Sequence, residues 1–235
     1  HQPDVACFQE IKCVDEKFPR EPFESLGYNV ETHGQKSYNG VALLSKLPLS
    51  DVRRGLDGDP SDEQARYIEA VIEAPRPVRV SGLYLPNGNP VGTEKFSYKL
   101  DWFKRLNSHA RDLLALEEAF VLCGDYNVIP APDDARAISA WIDDALFQPE
   151  SREALRALRN LGLSDSHELG REPAGTYTFW DYQAGAWQRD HGIRIDFHLL
   201  SPQAADRFSG IETHRQAREM DKPSDHVPVV VTLED

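Results

Sequence analysis

"VLCGDYNVIP" (Val121–Pro130) follows Ala119 and Phe120, so an apolar run meets a glycine and then an aspartate and an asparagine two residues apart. A short apolar run ended by a turn residue reads as a strand covered on both faces, and such a strand ends at a rim where sites form. If the chain stays extended, Asp125 and Asn127 share one face of that rim. The alternative is an Asx turn, in which Asp125 bonds its own backbone. The stretch alone leaves both open.

Outward from it, strand-like runs recur along the whole chain at "VACFQ" (Val5–Gln9), "GVALLS" (Gly40–Ser45), "RYIEAVIE" (Arg66–Glu73), "VRVSGLYL" (Val78–Leu85), "RIDFHLLS" (Arg194–Ser201) and "VPVVVTLE" (Val227–Glu234). Thr93 is placed to cap a helix from Glu94 to about Glu118, in which Phe96, Leu100, Phe103, Ala110 and Leu114 repeat at helical spacing. Two shorter helices are expected, over Asp133–Phe147 and over Glu150–Leu161 with Ser151 as an internal cap. Strands mixed with helices and no strict βαβ repeat predict an α/β chain of two packed sheets flanked by helices, rather than one doubly wound sheet. At 235 residues, a single domain with a sizeable core is expected.

The net charge of -13 argues against a chain that wraps a polyanion nonspecifically, so any nucleic-acid contact must use a local basic face. Lys95, Lys99, Lys104 and Arg105 interleave with aromatics, while Arg189, Arg194, Arg215, Arg218 and Lys222 gather near the end. The structural alternative for each is an ordinary solvated helix face. Cys7, Cys13 and Cys123 are odd in number and lack C-x-x-C spacing, which predicts small buried hydrophobes rather than disulfides or a zinc site. No apolar stretch approaches the ~20 residues of a membrane span and no signal peptide opens the sequence, so the expectation is a soluble, cytoplasmic chain. The first strand begins almost at once in "HQPDVACFQE", with no methionine before it, and a fragment or processed chain is expected.

Polar groups end three of these strands: Glu10 after "VACFQ", Tyr84 before the turn "PNG" (Pro86–Gly88), and Asp125. In "RIDFHLL", Arg194, Asp196 and His198 share one face by alternation, with Ile193, Ile195 and Phe197 on the other. An inward aspartate needs a partner. "SDHVP" (Ser224–Pro228) offers His226, whose tautomer and positive charge a carboxylate would steady. Carboxylates, asparagine and histidine without cysteine form an oxygen-rich set that suits magnesium or manganese better than zinc, and favours phosphoryl chemistry. Singly, each residue also has a structural reading: Glu10 as a surface carboxylate, Asp196 as a fold-stabilising acceptor, His226 as a satisfied buried histidine.

Taken together, "FQEIK" (Phe8–Lys12), "GQKSYNGVALLSK" (Gly34–Lys46), "YLPNG" (Tyr84–Gly88), "GDYN" (Gly124–Asn127), "YTFWDY" (Tyr177–Tyr182), "GIRIDFHLLS" (Gly192–Ser201) and "SDHVP" resemble, in order and over nearly the whole chain, the exonuclease III and apurinic/apyrimidinic endonuclease branch of the endonuclease–exonuclease–phosphatase superfamily. The resemblance implies a four-layered α/β sandwich with the site at one rim. Glu10 would then be a metal ligand and Asp225 a second candidate ligand, with Mg2+ or Mn2+ as the cofactor. Tyr84 and Asn87 would contact the scissile phosphate, Asp125 would orient or deprotonate the attacking water with Asn127 beside it, and His226, held by Asp196, would stabilise the charged phosphorane. Phe179, Trp180 and Ile195 resemble the side chains lining the family's abasic-sugar pocket, with a core role as the alternative for the aromatics. The family opens with a strand reading W-N-x-N whose asparagine joins the site. No such segment occurs in this sequence, so the expectation is either a longer protein with about 25 further residues, close to one strand and helix, or an impaired fragment.

The resemblance thus implies a monomeric DNA repair nuclease that incises duplex DNA 5′ to abasic sites, with 3′→5′ exonuclease and 3′-phosphatase activity. The rivals are a phosphatase of the same fold acting on a non-nucleic substrate and a DNA-binding module without activity.

Overall fold

A computed structural model describes residues 2–235. Strand β1 (Val5–Gln9), the short helix α1 (Arg20–Glu24), β2 (Asn29–His33) and β3 (Val41–Ser45) open the chain, and the three strands pair antiparallel in the order β1-β3-β2. Then follow β4 (Leu49–Arg54), β5 (Tyr67–Ile72), β6 (Val78–Tyr84), the long helix α2 (Glu94–Ala115) and β7 (Phe120–Asp125). Helix α3 (Pro149–Arg159), the two-residue β8 (Ser164–Asp165), α4 (Ser166–Leu169) and β9 (Asp196–Leu200) complete a six-stranded mixed sheet, β4-β5-β6-β7-β9-β8. After α5 (Pro202–Ala205), β10 (Phe208–Thr213) and β11 (Val229–Leu233) form an antiparallel ribbon.

Only β6 and β7 run parallel in the six-stranded sheet, and α2 supplies the crossover such a pair requires. Its face of Trp102, Phe103, Leu106, Ala110 and Leu113, with Leu155 and Leu158 of α3, packs on Tyr67, Leu83, Phe120, Leu122 and Phe197 of the sheet. The opposite face of the sheet, including Ile68, Ala70, Val80, Val121 and Cys123, meets Val41 and Leu43 of β3. Beyond β3, Ala42 and Leu44 face Phe18 and Val30, with Phe23 of α1 packed against them. The layers are therefore helix, sheet, sheet and a thin helical cover, as expected. The second sheet layer is antiparallel throughout and divided between the three-stranded sheet and the ribbon, whose Phe208 and Leu233 also pack on the shared core. At about 1.5–3 kcal/mol for each large apolar side chain buried, the two cores make a rigid base for the rim.

Glycine at 124 answers why the β7 run stops there. It has φ of 144°, and a Cβ would lie 2.0 Å from the Leu83 carbonyl oxygen of β6. Only a residue without a side chain lets the two parallel strands approach there.

Three sequence expectations are corrected. Residues 133–147 form no α-helix, only 3-10 turns at Pro132–Asp134 and Ile138–Ala140. Their polar groups are committed elsewhere: Asp134 pairs with Arg194, Arg136 N–H donates to Gly192 O, and Asp144 accepts from Asn89 and from Leu146 N–H. Thr93 precedes α2 without capping it, its hydroxyl donating to Pro90 O instead, and Ser151 donates to Ala145 O from inside α3. The last inner strand starts at Asp196 rather than Arg194, because Arg194 turns away to Asp134 and Asp165 and lies over the Phe197 ring. The three cysteines are free thiols, Cys123 buried and the other two half-buried. Among the described residues no helix is long and apolar enough to cross a membrane.

Candidate active site

Strand register builds the rim. Tyr84 is the parallel partner of Asp125, and Asp125 is the antiparallel partner of Asp196, so three neighbouring strands set these residues side by side. Glu10, just past the end of β1, approaches from the other sheet, and Tyr84 Oη donates to its Oε1 at 2.6 Å. His226 enters from the segment before β11, where its backbone bridges to Phe179. Glu10, Tyr84, Asn87, Asp125, Asn127, Phe179, Ile195, Asp225 and His226 all line one cleft of about 320 Å³. Asp196 stands behind His226, accepting from Nδ1–H.

Of the two readings of "GDYN", the Asx turn is the one observed, and it nonetheless brings both side chains to the rim. The chain leaves the extended conformation after β7, Asn127 taking φ of 48°, and its N–H donates to Asp125 Oδ1 at 2.7 Å in an Asx turn. Asn127 Nδ2 then reaches Asp125 Oδ2 at 3.1 Å and Leu85 O at 2.9 Å, while Asn87 Nδ2 donates to Asn127 Oδ1 at 3.2 Å. The turn, not strand alternation, brings the two side chains together.

Burial pushes the Asp125 carboxyl up to about 7, with neighbouring His226 opposing the rise and Asp196 adding to it. For His226, burial alone would lower the imidazole, but Asp196 beside it overrides this and raises it to about 10. The ring is therefore a cation, with Nε2 3.9 Å from Asp125 Oδ2. Burial also works to raise Glu10, yet the hydrogen bonds from Lys12 and Tyr84 prevail and hold it below the usual range. Tyr84 is raised, by burial first and then by Glu10, and stays a donor.

Glu10 and Asp225 stand in the same cleft, and among the described residues no cluster of three or more histidines, cysteines and carboxylates forms a closed cage. That arrangement fits a hard cation which keeps several waters and takes one or two carboxylates plus substrate oxygens. The donors present are all oxygens, as such an ion prefers.

Trp180 is not brought to the cleft. It is fully buried (0% exposed) against Tyr177, Val227 and Trp187, with Nε1–H donating to Asp190. The apolar wall is instead Phe179, Ile195, Trp141 and Leu146. Trp141 and Leu146 carry no sign of the cleft in the sequence, where residues 133–147 read as a helix with no strand end or turn to mark a rim. Of the basic candidates, Arg194 and Arg218 are buried, Arg105 is paired with Asp62, and Arg215 stacks on Trp180 and Trp187. Lys95, Lys104, Arg189 and Lys222 remain exposed. Lys99 is wholly buried beneath the site, not on a DNA-facing surface.

This fold and rim define a hydrolytic phosphodiesterase. Residues 1–226 match the profile of the Endonuclease/Exonuclease/phosphatase family, and the chain belongs to that family, which is divalent-metal dependent. Its relatives include exodeoxyribonuclease III of Haemophilus influenzae, 34% identical over 238 residues that span 97% of this chain and 89% of that protein. An AP endonuclease from Archaeoglobus fulgidus superposes with a TM-score of 0.92 at 35% identity, covering 99% of this chain and 90% of the other. A 3′ phosphatase from Neisseria, solved with a product DNA hairpin, gives 0.93 at 35% identity, covering 99% and 89%.

Proposed function

We propose that this chain is a DNA repair nuclease that hydrolyses the phosphodiester 5′ to an abasic site in duplex DNA and also acts on 3′ ends, as exonuclease and 3′ phosphatase. Its residues are read as one catalytic domain that works as a monomer. The observation that carries this is the facing of two polar sets across one cleft, Asp125 with Asn127 on one side and His226 with Asp196 on the other, beside an apolar wall.

In this reading Asp125 accepts a proton from the attacking water. A general base is most effective with a pKa near the working pH, and its value of about 7 meets that condition. Asn127 holds the carboxylate in place, Asn87 donates to the phosphate, and Tyr84 donates to it when its single hydroxyl proton turns from Glu10 to the substrate. The cationic His226 donates from Nε2–H to the oxygen on which charge develops, with Asp196 fixing the ring. Glu10 and Asp225 would hold Mg2+ or Mn2+, which when bound neutralises phosphate charge. Phe179 and Ile195, with Trp141, form a wall that suits a sugar without a base. The names and substrates of the relatives support the DNA assignment.

The test presents the protein with a duplex bearing one abasic analogue, a matched duplex ending in a 3′ phosphate, and an inositol phosphate, each with magnesium and with chelator. Metal-dependent cleavage of the two duplexes alone is expected. Turnover of the inositol phosphate alone would assign the site to a phosphatase of the same fold, and binding of DNA without cleavage would assign it to a recognition module.

A further inference from the structure

Phe96, Lys99, Phe103, Leu106 and Ala110 fall at the three- and four-residue spacing of one face of α2, and Lys99 is the single charged member of that stripe. It is 0% exposed. A cation there cannot reach a DNA phosphate, and burying one in a core is costly unless specific acceptors receive it. They are two backbone carbonyls: Lys99 Nζ donates to Asn87 O at 3.0 Å and to Asn127 O at 2.5 Å. These belong to the two loops that carry the cleft's paired asparagines, which meet side chain to side chain at 3.2 Å. Gly88 makes room for the lysine stem, since a Cβ at that position would stand 2.6 Å from Lys99 Cδ.

We infer that Lys99 is a positioning residue for the hydrolytic reaction: its ammonium clamps the "PNG" turn to the "GDYN" loop and so fixes Asn87 and Asn127 relative to Asp125. A neutral residue of the same shape would leave both carbonyls without a donor in the interior. The loops would then separate or admit water, and Asn127, which holds both oxygens of Asp125, would lose its fixed place. Burial lowers the Lys99 amine to about 7, with Asp125 and Asp144 opposing the fall; amine and ammonium alike donate to the two carbonyls, and the charged form also favours the ionised carboxylate of Asp125.

This inference rests on the nuclease reading for its kinetic half and on geometry alone for the rest. Lys99→Met, which keeps the stem and removes the donors, should lower kcat on the abasic duplex by ~10²-fold, the scale of a misplacement of about 1 Å at a reacting centre, with little change in KM. Without substrate, hydrogen exchange should quicken at the amides of Asn89 and Asn127 and stay unchanged in β5 and β6. A purely structural lysine would lower the melting temperature and leave kcat alone. Wild-type kcat, a loss carried by KM, or unaltered exchange at both amides would overturn the assignment. Should Lys99→Met fail to fold, Lys99→Leu, shorter and likewise without a donor, carries the same readouts, with wild-type kcat and exchange again overturning it. An inactive wild type removes the nuclease reading, and the exchange result then still decides whether the clamp exists.

Discussion

His226 Nδ1 lies 2.9 Å from Asp196 Oδ2 and 3.1 Å from Oδ1, so one carboxylate both aims the imidazole ring and keeps it charged. Removing the ring should remove one donor to a developing oxyanion. His226→Ala is expected to lose ~10²–10³ in turnover. Asp196→Asn should lose less, since the ring remains, and the double variant should be little worse than His226→Ala alone. Fully additive losses in a double-mutant cycle would show that the two residues act independently.

Asp125 has a consequence for stability as well as for catalysis. Its carboxyl is raised from 3.8 to about 7, so the folded protein holds a proton that the unfolded chain has already released. This contribution to stability is complete below the unfolded value and is lost as pH rises through about 7. Asparagine at 125 has no such dependence. Metal-free denaturant melts should therefore show the difference between Asp125→Asn and wild type moving in the variant's favour across that window, with a slope up to about 1.4 kcal/mol per pH unit. Parallel pH profiles would mean that the folded carboxyl titrates normally.

Glu10 is held by Tyr84 and by Lys12, whose Nζ lies 2.6 Å from Oε2. Glu10→Gln keeps the shape and discards the charge. The magnesium needed for half-maximal rate should rise by at least about tenfold, because even outer partners of a metal ligand are worth that much in affinity. Superimposable magnesium curves would argue that Glu10 binds no cation.

Phe179 stands over the cleft with its ring centroid 5.0 Å from that of His226. If it receives an extruded sugar, Phe179→Ala should impair abasic-site incision more than removal of a 3′ phosphate, which needs no extrusion. The expected differential is about 1–3 kcal/mol. Both activities are to be measured on matched duplexes at one salt concentration, which cancels the shared electrostatic contribution. Equal fractional losses would move Phe179 from recognition to folding or general docking.

How far the sequence was legible follows from what kind of force placed each residue. The β7 strand was readable because its apolar run is buried on both faces by two separate cores, which leaves a one-dimensional signal. Glu10, Tyr84 and Asp125 were readable as strand ends. For Asp125 and Asn127 the sequence leaves strand alternation and an Asx turn equally open; the left-handed Asn127 decides for the turn, which brings the two side chains together as alternation would have. Tertiary partners erased other signals: Arg194 leaves its strand for Asp134 and Asp165, and residues 133–147 give up helix formation to line the cleft. Trp180 shares a motif with Phe179, yet adjacent residues in extended chain face opposite ways, and only Phe179 reaches the site. Lys99 could have been found, because its place in the apolar stripe of α2 was already marked by Phe96 and Phe103.

The measurement closest to the centre of this account is single-turnover incision of an abasic-site duplex by wild type and by Asp125→Asn at saturating magnesium, with DNA affinity determined in parallel. Asp125 is 4% exposed and both its oxygens accept from Asn127, so asparagine at 125 removes proton acceptance and keeps one of those two hydrogen bonds, its amide nitrogen meeting the other donor. The chemical step should slow by ~10²–10⁴-fold, the usual contribution of a general base, with affinity for the duplex nearly unchanged. An incision rate equal to wild type, at equal affinity, would contradict the placement of Asp125 in the reaction.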